Sequence, residues 1–347
     1  MSMGYSVAVV GATGVVGEEL LAILQERQFP ISELRLLASA RSAGLEVEYQ
    51  GKILQVQEAR PEAFDGVQIA FFSAGGSVSQ ALASTAVERG AVVIDNTSFF
   101  RLDPEVPLVI PEVNADDLGS HKGIIANPNC STIIIDLVLA PLHHAAGLKR
   151  VVLSTYQAVS GAGIKAIHEL EDQVKDYAAG KEVTAKVLPV SSAPKHYPIA
   201  FNLIPQIDLF EDAGYTKEEW KMIRETQKLL HLPELRITAT TVRVPVLRCH
   251  SIAANIELEQ KLSAAKVQEI LSQAAGVSVL DDPSQQLYPM PIELSGCDDV
   301  FVGRIREDNS SATGINLWVV GDQIRKGAAL NAVQIAEELH RRGLVKI

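Results

Sequence analysis

The chain opens with an apolar run, Ser6-Val7-Ala8-Val9-Val10-Gly11-Ala12, that ends in a glycine-rich turn and passes straight into a helical pattern. A run without polar alternation suits a strand buried on both faces. Such strands belong to parallel sheets whose crossover helices cover each side. The same alternation continues with a helix over 15–27, strands over 34–39 and 67–73, a helix over 78–89, and strands over 91–95 and 123–126. A long apolar helix then runs from Cys130 to about Gly147. This predicts an α/β, Rossmann-like dinucleotide-binding domain.

Beyond residue 150 the rhythm changes. Strands are expected over 151–160, 235–243, 251–259, 300–305 and 314–320, with helices over 164–177, 217–230 and 263–274. Strands that follow one another without intervening helices indicate an α+β domain on an antiparallel or mixed sheet. The last helix, 324–342, has no strand after it and is expected to pack back on the first domain. The domain bounds are thus 1–130, completed by the C-terminal helix within 322–347, and 131–321. Residues 189–194, Pro-Val-Ser-Ser-Ala-Pro, read as a surface loop or a partner arm.

Bulk properties exclude several classes. With 347 residues and 47% hydrophobic content there is material for two cores. A net charge of −11 argues against a nucleic-acid partner. The three cysteines, Cys130, Cys249 and Cys297, form no C-x-x-C, so neither a disulfide framework nor a metal site is expected. No basic segment followed by an apolar stretch opens the chain, and no run approaches the ~20 residues of a membrane span. A cytoplasmic location is the expectation.

The turn Gly11-Ala12-Thr13-Gly14-Val15-Val16-Gly17 sits between the first strand and the first helix, where small residues let backbone approach a pyrophosphate at a helix N-terminus. Its spacing is G-x-x-G-x-x-G rather than the usual dinucleotide fingerprint. Contacts are expected from Gly11, Thr13, Gly14, Val15 and Val16. At the end of the second strand an acidic residue normally binds the ribose 2′-hydroxyl of NAD. This chain has Ser39-Ala40-Arg41-Ser42 instead, a guanidinium between hydroxyls with no opposing carboxylate. NADP is therefore favoured. Ser73 and Gly75 lie at the end of another strand where the cofactor would pass.

Asn127-Pro128-Asn129-Cys130-Ser131-Thr132 puts a cysteine at the start of the long apolar helix. Unpaired N–H groups and the helix dipole favour a thiolate there, set up for attack on a carbonyl carbon. A cysteine nucleophile needs an acid–base partner. Among eight histidines His250 is the best placed, directly before a strand, whereas His143, His144 and His340 lie near predicted helix ends. Sequence spacing alone does not bring His250 to Cys130. Cys249 would face the other way on an extended strand and reads as structural, and Cys297 as incidental.

From end to end the chain resembles the bacterial aspartate-β-semialdehyde dehydrogenases. The resemblance rests on 11–17, on 127–132, on Tyr156-Gln157-Ala158-Val159-Ser160-Gly161-Ala162-Gly163, on Glu218-Glu219-Trp220-Lys221, on 243–251 and on Gly321-Asp322-Gln323-Ile324-Arg325-Lys326-Gly327-Ala328-Ala329. It implies a catalytic and dimerisation role for the second domain, with Cys130 as nucleophile, His250 as acid–base partner, Asn129 at the oxyanion and Gln157 orienting the substrate. It further implies Arg243 on the substrate carboxylate, Glu219 on its ammonium, and Arg101 and Lys221 on phosphate. Ser160, Gly161 and Gln323 would serve the cofactor. The reaction implied is the reversible NADP-dependent reductive dephosphorylation of L-aspartyl-β-phosphate to L-aspartate-β-semialdehyde, on the route to lysine, methionine and threonine. The expected assembly is a homodimer or homotetramer. Two rival readings stand beside this one. N-acetyl-γ-glutamyl-phosphate reductase normally has Gly before its cysteine and an aromatic after it, and a non-catalytic dinucleotide-binding paralogue would be expected to lose Cys130, His250 or Arg243.

Overall fold

A computed structural model describes residues 4–345; the remaining terminal residues, which the sequence-based domain bounds include, lie outside the described residues. The chain divides into two compact units, Met1–Asn129 with Ala328–Ile347, and Cys130–Gly327.

The first unit carries a six-stranded sheet of β1 (Tyr5–Val10), β2 (Ile31–Ala38), β5 (Gln57–Glu58), β6 (Ile69–Phe72), β7 (Val92–Asp95) and β8 (Ile124–Ala126), in the order β5-β2-β1-β6-β7-β8. Every pairing in it is parallel. A separate hairpin, β3 (Glu46–Tyr49) and β4 (Lys52–Gln55), stands beside it. The period of two along β1 divides its side chains between two cores. Val7 and Val9 join Leu20, Leu24, Ile335 and Leu339, from α1 (Val15–Glu26) and the C-terminal helix. Ala8 and Val10 join Phe72, Ala83 and Ala86, the last two from α2 (Gly76–Glu88). That double burial is why β1 is apolar throughout. A short helix, α3 (Pro111–Asn114), precedes β8.

The second unit opens with α4 (Cys130–Ala146), buried on nearly all sides as its uniform apolarity requires. Its sheet contains β9 (Leu148–Gln157), β10 (Arg236–Arg243), β11 (His250–Leu258), β12 (Val277–Val279), β13 (Val300–Glu307) and β14 (Gly314–Gly321), in the order β10-β9-β11-β14-β13-β12. The two outer pairs, β10–β9 and β12–β13, are parallel and the inner pairs antiparallel, so the sheet is mixed. The unit also holds α5 (Ile164–Ala178), α6 (Lys217–Leu229), α7 (Ala264–Ser272) and the short α8 (Pro291–Leu294).

The C-terminal segment departs from the uninterrupted helix its periodicity predicts. A π-helical turn spans Arg325–Ala329, and the regular helix α9 covers Leu330–Arg341. Asp322 anchors the start of this turn. Its Oδ1 accepts from the amides of Ile324 (2.9 Å) and Arg325 (3.2 Å), while Oδ2 accepts from Gly296 N (2.7 Å) and Arg248 Nε (2.6 Å). These bonds fasten residues 322–325 to the second unit, so the crossing into the first comes after Gly327 rather than before 322. Thereafter α9 packs on α1, where Arg27 grips Glu337 through two 2.7 Å hydrogen bonds.

Candidate active site

Three adjacent strands of the second unit bring Arg243, Gln157 and His250 abreast. The parallel register pairs Arg243 of β10 with Gln157 of β9. The antiparallel register pairs Ser251 of β11 with Tyr156, which sets His250, one residue earlier, beside Gln157. All three side chains are buried, although they belong to polar residue types. A buried polar group needs partners, and these are only partly supplied. Thr155 Oγ1 donates to Gln157 Oε1 (3.1 Å), and Gln157 Nε2 donates to Glu218 Oε1 (3.2 Å). Arg243 Nη1 donates to the Ala158 carbonyl (2.6 Å), but its Nε has no partner among the described residues. The amide of Ala158 donates to His250 Nδ1 (3.1 Å). A neutral imidazole accepting at Nδ1 carries its hydrogen on Nε2, and that buried nitrogen also has no partner among the described residues.

Gly161 closes the wall of this pocket. It lies on the 3₁₀ turn Val159–Ala162 that follows β9. A Cβ there would stand 3.1 Å from Arg243 Nη1, 3.1 Å from His250 Cε1 and 3.2 Å from His250 Nε2, so a larger residue would press both side chains back by a few tenths of an ångström. Burial, followed by the charge of Arg243, depresses His250 to about 3, with Glu218 opposing the shift. Burial also lowers Arg243, against the charges of Glu218 and Cys130. His250 is therefore neutral at neutral pH.

Cys130 is the first residue of α4 and is half-buried. Its charge bears on Arg243, and a Cβ on Gly327 would come within 3.1 Å of the Cys130 Cβ. One turn along, Ile134 abuts Gly321 of β14, the residue paired with His250. These contacts fix the N-terminus of α4 at the sheet end that carries the imidazole. Cys249 is buried against Leu294 and Val320, and burial pushes its thiol up to about 12, as suits a structural residue.

The pair Glu218 and Glu219 requires a correction. Glu219, read from sequence as the ammonium ligand, is committed to the backbone. Its Oε2 accepts from Thr216 N (2.7 Å), its Oε1 from Thr241 N (2.9 Å), and Thr216 Oγ1 accepts from Glu219 N (3.3 Å). This capping box clamps α6 to β10. It is Glu218 that joins the pocket, bonded to Gln157 and to Lys221 Nζ (3.1 Å). Lys221 also meets Asp208 (3.2 Å). The motif Thr216-x-x-Glu219 before a helix was a legible capping signal. Ser160 and Gln323, read as cofactor residues, lie in the same unit. Gln323 Oε1 accepts from Cys249 N (2.8 Å) and its Nε2 donates to Ser160 Oγ (2.5 Å), tying the turn after β9 to the strand start that carries His250.

In the first unit a cavity of about 670 Å³ is lined by Gly11, Thr13, Gly14, Ser39, Arg41, Ser42 and Ser73, among others. Val15, Val16 and Gly75 are sequence neighbours of its lining residues. A Cβ on Gly11 would lie 2.7 Å from the Ser73 carbonyl, and one on Gly17 only 2.2 Å from the Gly11 carbonyl. The close turn thus depends on both glycines. Gly14 and Gly75, the N-caps of α1 and α2, supply no side-chain cap, which leaves first-turn amides available to an anion. These features fit a dinucleotide pyrophosphate. The cavity also adds to one expectation: Glu58 of β5 lines it together with Arg41, so an acidic residue does border the cavity. The first unit also holds Asn129 and Arg101, both buried; Arg101 Nη2 donates to the Asn96 carbonyl (2.8 Å).

Comparison with known proteins agrees with both halves. Residues 6–121 match the family model described as semialdehyde dehydrogenase, NAD binding domain, and 139–326 the one described as semialdehyde dehydrogenase, dimerisation domain. An aspartate-semialdehyde dehydrogenase of Bacillus subtilis is 55% identical over 346 residues, spanning 99% of this chain and all of its own length. The chain belongs to the aspartate-semialdehyde dehydrogenase family. Among solved structures, aspartate semialdehyde dehydrogenase II of Vibrio cholerae complexed with ASA superposes with a TM-score of 0.93 at 46% identity, covering 98% of this chain and 99% of that one. The Candida albicans enzyme with NADP gives 0.74 at 25% identity, covering 97% and 98%. The α/β fold with a parallel nucleotide-binding sheet and a mixed-sheet second domain is the fold of this family. No helix among the described residues is long and apolar enough to cross a membrane.

Proposed function

We propose that the chain is an NADP-dependent, phosphorylating aspartate-semialdehyde dehydrogenase that interconverts L-aspartyl-β-phosphate and L-aspartate-β-semialdehyde through a thioester on Cys130. The observation that carries this reading is the register pocket, where a buried guanidinium Nε and a buried imidazole Nε2, both without partners among the described residues, converge beside an oriented glutamine and a carboxylate–lysine pair. Arg243 suits the substrate carboxylate, because its planar fork pairs with two oxygens at once. Glu218 takes the role first expected of Glu219 and suits a free ammonium, which favours an amino acid over an N-acylated substrate. Lys221 and Arg101 are assigned to phosphate, Gln157 to orientation and Asn129 to the developing oxyanion.

In the reductive direction the Cys130 sulfur attacks the β-carbonyl carbon. The carbon–oxygen bond to phosphate then breaks and phosphate leaves with the electron pair, giving the thioester. When bound, NADPH would supply the hydride for reduction of the thioester carbonyl. As the carbonyl re-forms, the carbon–sulfur bond breaks and the sulfur leaves as the thiolate that began the cycle, accepting a hydrogen bond from the Nε2–H of His250. In the reverse direction the same Nε2–H holds the attacking thiolate, and phosphate captures the thioester. Two easier steps thereby replace one difficult acyl reduction. Gly11, Thr13, Gly14, Ser39, Arg41, Ser42 and Ser73 would hold the dinucleotide, and Ser160, Gly161 and Gln323 would serve its nicotinamide end. The dimerisation-domain match supports a homodimer, and the role places the protein in cytoplasmic synthesis of lysine, methionine and threonine. The test is reduction of NADP with aspartate semialdehyde in the presence and absence of phosphate. Sustained turnover should require phosphate. Turnover indifferent to phosphate, or none by folded protein, would reject the assignment.

A further inference from the structure

We infer that Glu58 and Arg41 form an opposed pair that sets cofactor choice, with the carboxylate holding the unphosphorylated ribose of NAD and the guanidinium holding the 2′-phosphate of NADP. The inference rests on the cofactor reading of the first unit's cavity given above.

The usual dinucleotide acid stands at the end of the second strand. Here β2 ends at Ala38 and is followed by Ser39, Ala40, Arg41 and Ser42, none of them acidic. The acid has moved to the next strand. Strand β5 is only Gln57–Glu58, paired in parallel with Leu37–Ala38, which sets Glu58 abreast of the last residue of β2. Two backbone bonds hold the segments in one frame: Ala59 N donates to the Ala38 carbonyl (2.8 Å), and Gly44 N to the Val56 carbonyl (2.8 Å). Both residues line the cavity that the glycine turn opens, and Glu58 also borders a neighbouring one with Arg35 and Arg60.

Neither charge is used internally. Arg35 pairs with Glu33 and Arg89 with Asp65, but Arg41 and Glu58 have no hydrogen-bond or ion-pair partner among the described residues. A carboxylate accepts from the vicinal hydroxyls of NAD and repels a 2′-phosphate, whereas a guanidinium does the reverse. Selectivity is then the difference between two opposing contacts, and the site admits both dinucleotides.

The experiment measures binding of NADP⁺ and NAD⁺ by calorimetry to the wild type, Glu58→Gln and Arg41→Ala, at low and high salt, with thermal melting as the check on folding. Glu58→Gln should tighten NADP⁺ and weaken NAD⁺, raising the NADP:NAD affinity ratio roughly tenfold, the scale of one charge-assisted contact. Arg41→Ala should lower the ratio by about as much. Both shifts should shrink with salt, because exposed charges are screened. A Glu58→Gln variant that moves both affinities together, as a merely structural residue would, overturns the proposal. A wild type that binds neither dinucleotide overturns the cofactor reading itself, and this pair with it.

Discussion

Adjacent carboxylates on one helix, Glu218 and Glu219, should fail in different ways when altered. Glu219 is buried and accepts from two buried amides, Thr216 N at 2.7 Å and Thr241 N at 2.9 Å. Truncation to Ala strands both donors, the one at Thr216 N being the Glu219 half of the capping box, at about 1–3 kcal/mol each. Glu219→Ala should therefore lose about 2–6 kcal/mol of stability, read from the urea midpoint. Catalysis per folded molecule should hold near the wild-type value when assayed well below the transition. Glu218→Gln keeps volume and polarity but deletes the charge beside Gln157 and Lys221. Its stability should change by no more than about 1 kcal/mol, while kcat/KM falls roughly 30- to 200-fold for loss of a charged hydrogen bond to substrate. A Glu219→Ala protein with an unmoved midpoint, together with a fully active Glu218→Gln enzyme, would refute the assignment.

Three further outcomes follow from the same geometry. Gly161→Ala should lower kcat/KM roughly 10- to 100-fold with little change in melting temperature, because its Cβ would press on Arg243 and His250 at 3.1 Å; wild-type kinetics would show that the turn yields freely. His250, held near 3 by burial and Arg243, should stay neutral from pH 5 to 8 in the free enzyme and should titrate higher in Arg243→Leu, as followed by NMR of its ring protons. Since the unfolded chain binds the proton that the folded chain refuses, this group makes stability fall as pH drops below the ordinary histidine value; a free-enzyme titration near that value would contradict it. Asp136, fully buried on α4 with Thr226 Oγ1 donating to it at 2.9 Å, is pushed well above the carboxylate range by burial. Its contribution is complete below the unfolded value and is lost as pH rises toward the folded one, so Asp136→Asn should flatten the decline of urea stability on the alkaline side; an unchanged slope would count against it.

Much of the first unit was legible because its strands are buried on both faces and its turns carry glycine. Strand β1, the turn from Gly11 to Gly17 and α1 follow from local pattern alone. The pocket was less so. His250, Gln157 and Arg243 come together only through sheet register, a long-range pairing that no periodicity encodes. Helical spacing could not choose between Glu218 and Glu219, about 100° apart on α6. Docking against β10 decided it, although the Thr216 cap was a usable clue. Glu58 escaped notice because a two-residue strand leaves no pattern. The hairpin of β3 and β4 was likewise missed, despite the Gln50-Gly51 turn with both φ values positive. Along 324–342 helical periodicity persists, yet the first turn, which Asp322 anchors in the second unit, is π-helical.

The central claim is a covalent bond at one sulfur, and trapping that bond tests it most directly. Wild-type protein mixed with aspartate semialdehyde and NADP without phosphate should give a single burst of reduced cofactor. Mass spectrometry should then place an aspartyl adduct on the peptide containing Cys130. Cys130→Ser should give neither. An adduct mapped to Cys249 or Cys297, or an undiminished burst from Cys130→Ser, would contradict the account.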